Sequence, residues 1–259
     1  MRDPGEGVTP DGHITTGVGR ERITASFLPI VNVAVALFEA HAADPDAELL
    51  LYGSVATGQA VPGASDVDLI AAGVDREIAA RLSRDLSKRF EGACRSVELA
   101  CMTLRSHLGK GDEAYGNRVF LRHYCLPLAG PDRLRGTAAF RADARAARGF
   151  NGDIATAPNG WRAAPQTAAL GPRVARKSLV AAAGLHSVLT ATWTTDREQG
   201  AAAWRDRRPD LSDEVQVLQQ WANGRQATPE QVRDVLRASG PIEELTREYA
   251  AVVGLWNVQ

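Results

Sequence analysis

Lysine is nearly missing from this chain: Lys88, Lys110 and Lys177 stand against 27 arginines. With abundant alanine, this reads as a composition bias of the genome, so a role usually filled by lysine can fall here to arginine. Cysteine is also scarce. Cys94, Cys101 and Cys125 are odd in number and lack metal-type spacing, which argues against a disulfide framework and fits reduced thiols in a cytoplasmic protein. Neither charge dominates. With 31 acidic and 30 basic residues the net charge is −1, whereas proteins that coat nucleic acid are usually strongly basic. No apolar run approaches the length of a membrane span, so no membrane partner is expected. The opening MRDPGEGVTPDGHITTGVGR lacks an apolar leader core and reads as a polar, glycine-rich mobile arm over residues 1–23.

What is present suffices for a sizeable core. The chain has 259 residues, 44% of them apolar, enough for one large domain or two smaller ones. The pattern predicts an α+β protein. An α/β domain with a small mixed sheet is expected over 24–132, a linker or lid over 133–170, and a helical bundle over 171–259. TASFLPIVNVAVALFEAHAA predicts a helix with Pro29 near its start, where proline is tolerated. AELLLYG, DVDLIAAG and SVELACMTL predict strands, and REIAARLSRDLSKRFEGA an amphipathic helix with Ile78, Leu82, Leu86 and Phe90 on one stripe. FNGDIATAPNGWRAAPQ has no clear period. Five helices follow. Thr194 or Thr195 is the expected cap of the second, and Thr228-Pro229 opens the fourth.

The chemistry concentrates in LLLYGSVATGQAVPGASDVDLIAAG. Residues i and i+2 of a strand share a face, so Asp66 and Asp68 are expected to project together. Two adjacent carboxylates repel unless a cation lies between them, and oxygen ligands at this spacing suit Mg²⁺. Glu98 supplies a third carboxylate in a later strand. Nucleotidyl transfer requires this kind of set. Two metal ions held by carboxylates polarise an acceptor hydroxyl and stabilise departing pyrophosphate. Asp66 and Asp68 can bridge both ions. Glu98 can ligate one of them or take the acceptor proton. Gly53 allows the backbone to approach phosphate oxygens closely. Ser54 is expected to cap a short helix and to offer its hydroxyl and N–H to phosphates.

Gly53-Ser54, Gly58 and Ser65-Asp66-Val67-Asp68-Leu69 resemble the signature of the DNA polymerase β-like nucleotidyltransferase superfamily. The whole layout is similar to that of aminoglycoside adenylyltransferases acting on streptomycin and spectinomycin. That resemblance implies two Mg²⁺ ions (Mn²⁺ as a substitute), ATP as cosubstrate, a cleft between the domains, and Glu98 as third carboxylate and general base. It also implies Ser65 beside Gly53 and Ser54 in the nucleotide site. TTDREQGAAAW is similar to a family stretch in which Arg197 stands where a phosphate-binding lysine is usual, with Trp204 matching the family tryptophan. Trp221 corresponds to an aromatic near the nucleotide, and Lys177, the only lysine of the second half, is a candidate phosphate contact because it survives the arginine bias.

Each of these has a plainer alternative. Arg197 and Lys177 could be solvated helix residues, and Trp204 and Trp221 core residues. The expected partners are a nucleoside triphosphate and a small hydroxylated acceptor, an aminoglycoside, a related antibiotic or a biosynthetic metabolite. Transfer to a protein or RNA, and a non-catalytic antitoxin-like module of the same fold, are the competing readings. Near-neutral charge and the lack of interleaved basic and aromatic residues weigh against RNA.

Overall fold

The computed structural model describes residues 3–103, 107–133, 136–165 and 167–256. The ends of the expected arm (1–2) and bundle (257–259), and linker positions 134, 135 and 166, lie outside the described residues. The chain is a mixed α/β protein with one small mixed sheet and many helices. It divides into two compact units: Met1–Glu6, Thr15–Gly109 and Asn117–Ala139 form the first, and Gly7–Ile14, Lys110–Gly116 and Phe140–Gln259 the second. Among the described residues no helix is long and apolar enough to cross a membrane.

A short ribbon, β1 (Gly7–Val8) and β2 (Ile14–Thr15), starts the chain. The expected mobile arm is therefore tied down over its described part. The Tyr124 hydroxyl donates to Glu6 Oε1 at 2.6 Å, the Arg20 guanidinium donates to the Pro127 carbonyl, and the Gly5 and Gly17 amides donate to the Asp3 carboxylate. Polar composition alone pointed to disorder; these specific acceptors supply the order.

The sheet of the first unit is built from β3 (Glu48–Tyr52), β4 (Val67–Ala72), β5 (Val97–Met102) and β6 (Leu126–Ala129), in the order β5-β4-β3-β6. β3 is antiparallel to both its neighbours, and β4 and β5 run parallel. A parallel pair needs a crossover, and the helix α3 (Arg76–Arg89) provides it. Asp75 caps α3 by accepting from the Glu77 and Ile78 amides. Leu82 and Leu86 are buried as expected, with Ala79 rather than Ile78 completing the stripe.

Alternation gives the sheet two different faces. Leu49, Leu51, Val67, Leu69, Ala71 and Val97 pack with Phe27, Ile30, Val31, Ala34 and Phe38 in and beside the helix α1 (Leu28–His41), and with Leu86 of α3. On the opposite face Leu50 and Ile70 meet Phe120, Leu121 and Cys125 in and just after the helix α4 (Asp112–Tyr124). This second face carries the polar row described below.

The second unit is helical and begins earlier than expected. The stretch read as a linker or lid forms α5 (Ala144–Asn151), a 3-10 turn Gly152–Ala155 and α6 (Ala157–Ala163). No regular period marks it because short helices bury isolated residues: Ala146, Ala147, Ile154 and Trp161 are all buried. Then come α7 (Leu170–Thr190), α8 (Arg197–Arg207), α9 (Ser212–Ala222), α10 (Pro229–Val235) and α11 (Pro241–Val252). α7 is the central helix, buried from Val174 to Ser187 on most of its circumference, as its nearly all-round apolar sequence requires. α8 crosses it at Gly200, where a side chain would collide with Leu179 and Ala183 of α7. Asp196, not either threonine, caps α8, whereas Thr228 is the expected N-cap and also forms a capping box with Gln231.

Candidate active site

Pairing across the sheet decides the geometry here. Asp68 lies opposite Tyr52 of β3 on one side and opposite Glu98 of β5 on the other. Neighbouring strands lie about 4.8 Å apart and registered residues share a face. Tyr52, Asp68 and Glu98 therefore form a row across three strands, on the face that elsewhere meets α4. Glu98 is exposed and Asp68 half-buried. Asp66 immediately precedes β4. Its carboxylate accepts from the Ser96 hydroxyl at 2.6 Å and from the Arg95 Nε at 2.9 Å, and Arg95 Nη2 pairs with its second oxygen.

The electrostatics follow from this crowding. Burial pushes the Asp68 carboxyl up from 3.8 to about 6; the negative charges of Glu98 and Asp66 add to the rise and Arg95 opposes it. Burial, then Asp68 and Glu98, push the Tyr52 phenol up to about 12. The Tyr52 ring is held edge-on against Phe120, with centroids 5.4 Å apart.

Gly53 closes the site from below. It adopts φ +74°, and a Cβ there would run into the Asp68 carboxylate oxygen. A residue with a side chain would meet both the left-handed penalty and this collision. Gly53→Ala is expected to lower stability by about 1–3 kcal/mol, read as a shift of the urea unfolding midpoint. An unchanged midpoint would mean that the turn and Asp68 relax freely.

The sequence-derived site residues separate into three groups. Asp66, Asp68, Glu98 and Gly53 are brought together. Ser54 and Ser65 are nearby in the chain, and the Ser65 hydroxyl serves its own turn. Ser54 lies inside α2 (Gly53–Ala56), whose N-terminal residue Tyr52 makes no side-chain cap, so Ser54 is not the expected N-cap. The Ser65 hydroxyl accepts from the Val61 amide at 2.9 Å and closes the Val61–Ser65 turn. Lys177, Arg197 and Trp221 belong to the second unit. Lys177 Nζ pairs with Asp153 Oδ1 at 2.6 Å and donates to the Phe150 carbonyl. Trp221 and Trp204 are buried core residues at 1% and 2% exposure, so the ring expected beside a nucleotide is enclosed by protein. Arg197 is half-buried, and burial and the nearby Arg176 both push its pKa down.

Arg95, Ser96 and Tyr52 were not singled out by sequence. A signal existed: Asp66-Val67-Asp68 and Ser96-Val97-Glu98 are matching segments of parallel strands, registered Val67 to Val97. That alignment puts Arg95 and Ser96 beside Asp66.

Divalent cations fit the donor chemistry of Asp68 and Glu98: hard oxygen ligands, side by side, with the Asp68 proton affinity raised by burial and further by the neighbouring negative charges. Asp66 is committed to Arg95 and Ser96. Among the described residues no group of three or more His, Cys, Asp and Glu side chains stands close enough to hold a metal ion. Asp68 and Glu98 are the registered pair, and Asp66, one residue before β4, is paired with Arg95.

No protein-family model matches the chain, and no curated protein matches it.

Proposed function

We propose that this chain is a metal-dependent nucleotidyltransferase. It moves a nucleoside monophosphate, AMP from ATP, to a hydroxyl of a small molecule, an aminoglycoside or related antibiotic or metabolite. In this reading the first unit is the nucleotidyltransferase domain and the helical unit is its C-terminal companion. The observation that carries the reading is the register of Asp68 with Glu98, with Asp66 next to them and the Gly53 turn beneath. The row across three strands concentrates negative charge on one face, and a cationic ligand there would relieve it.

Divalent cations held by Asp68 and Glu98, joined by Asp66, would neutralise the triphosphate and polarise the acceptor hydroxyl. The chain's own residues account for the rest. Gly53 lets main-chain amides approach phosphate oxygens without a side chain intervening. Glu98, the most solvent-accessible of the carboxylates, is placed to take the acceptor proton. The acceptor oxygen forms a bond to the α-phosphorus, the bond between the α-phosphorus and its bridging oxygen breaks, and pyrophosphate leaves with that electron pair. Tyr52 stays protonated beside the carboxylates and adds no further negative charge.

The test is a pyrophosphate-release screen of ATP, GTP, CTP and UTP, with Mg²⁺, against a panel of aminoglycosides and other hydroxylated metabolites. Turnover is expected with ATP and at least one acceptor. Release that needs no divalent ion would refute the mechanism.

A further inference from the structure

Asp66 is the one member of the carboxylate set with both oxygens engaged. Arg95 grips it with two nitrogens, Nε on Oδ1 and Nη2 on Oδ2, and Ser96 adds a third donor. The backbone fixes this encounter. The Arg95 amide donates to the Ser65 carbonyl at 3.0 Å, and the Val67 amide to the Ser96 carbonyl at 2.9 Å, so the two strand entrances are stapled together. The start of β5 is held further from α3, where the Ser83 and Ser87 hydroxyls donate to the Val97 carbonyl. Asp66 is only 13% exposed, while the Arg95 side chain is 69% exposed. The carboxylate is therefore largely enclosed, while its cationic partner lies mostly in solvent.

A guanidinium and a divalent cation compete for the same lone pairs. The arginine fork and Ser96 occupy three of the roughly four lone-pair sites of the Asp66 carboxylate, and the guanidinium's own positive charge repels a divalent cation from the remaining one. The pair is also weak in free energy, because one partner sits in water, so a divalent ion can displace it. We propose that Arg95 is a latch on Asp66: the Arg95–Asp66 pair and full divalent-cation coordination exclude one another, and Arg95 sets how tightly the metal is held. This inference rests on the metal-binding reading above. Arg95 here is a positioning residue, acting through Asp66 and not on the substrate.

Two measurements test it. In the first, Mn²⁺ binding to the full chain is followed by calorimetry for wild type, Arg95→Gln and Asp68→Asn. Arg95→Gln is expected to bind Mn²⁺ about fivefold more tightly, equivalent to about 1 kcal/mol at 1.4 kcal/mol per decade. In the second, the Arg95 Nε–H resonance, assigned by its loss in Arg95→Gln, is followed by NMR during a Mg²⁺ titration. It should show the paired state without metal and lose it in step with metal binding. A signal that keeps its paired position at saturating Mg²⁺, or equal Mn²⁺ affinities in wild type and Arg95→Gln, overturns the latch while leaving the metal site standing. Absence of Mn²⁺ binding in wild type, or binding untouched by Asp68→Asn, brings down the nucleotidyltransferase reading and the latch together.

Discussion

Replacing Asp68 by asparagine is expected to silence nucleotide transfer and, in the same protein, to raise stability. In the proposed mechanism Asp68 ligates the metal directly, and its loss should exceed the 10–100-fold effects of outer-shell changes, giving a drop on the order of 10³-fold in pyrophosphate release. The stability gain follows from linkage. The folded-state value of about 6 lies above the ordinary 3.8, so between about pH 4 and 6 the folded chain binds more protons than the unfolded one. Stability therefore falls as pH rises through that window and stays lower above it. The raised value sets a ceiling of about 3 kcal/mol at about 1.4 kcal/mol for each unit of pKa. Asparagine has nearly the same shape and no charge. With partial solvation of the site, a gain of about 1–2 kcal/mol is expected at pH 8 in a chelating buffer, shrinking to nothing below pH 4. Urea unfolding of wild type and variant at the two pH values measures it. A variant less stable than wild type at pH 8 would mean that the Asp68 charge already has a compensating partner. The combination of lost activity and gained stability separates a ligand site, where repulsion is tolerated for function, from a structural carboxylate, whose removal destabilises.

The second large effect lies in the helical unit. Trp221→Ala is expected to cost about 3–5 kcal/mol, because the ring is enclosed in the core and Gly171 packs directly on it, a Cβ there lying 3.3 Å from a ring carbon. The measurement is again the urea midpoint, with Trp221→Phe as a milder variant that keeps the chain folded. Nucleotide affinity of the folded Trp221→Phe protein should equal that of wild type. A tenfold loss of affinity with little change in stability would restore Trp221 as a stacking residue and contradict its burial. Trp204 is likewise buried, on α8 one turn after Gly200, which brings that helix against α7.

How far the site could be read in advance differs from residue to residue. Asp66 and Asp68 were visible because a strand has period two and because a glycine-serine turn precedes them. Glu98 was visible as a charge inside an apolar run. Its position beside Asp68, in contrast, depends on which strands pair and in what register. The paired role of Arg95 was hidden for the same reason: its partner is 29 positions away, and an arginine at a strand entrance looks like any solvated residue. Lys177 looked informative for its rarity, yet its neighbour Asp153 accounts for it. The segment 133–170 looked like a lid because helices of two turns leave too short a record for a period to emerge.

The strands β3, β4 and β5, the helices α1 and α3, the N-cap at Thr228 and the acidic positions themselves were set by local physics: hydrophobic period, glycine and proline placement, and side chains able to satisfy nearby amides. Those effects act over a few residues, so the sequence carries them directly. The choice of neighbours belonged to the tertiary structure. It put Asp68 next to Glu98, gave Asp66 to Arg95, and enclosed Trp221, because strand register and core packing join positions far apart in the chain, and those partnerships emerge only when the whole core closes.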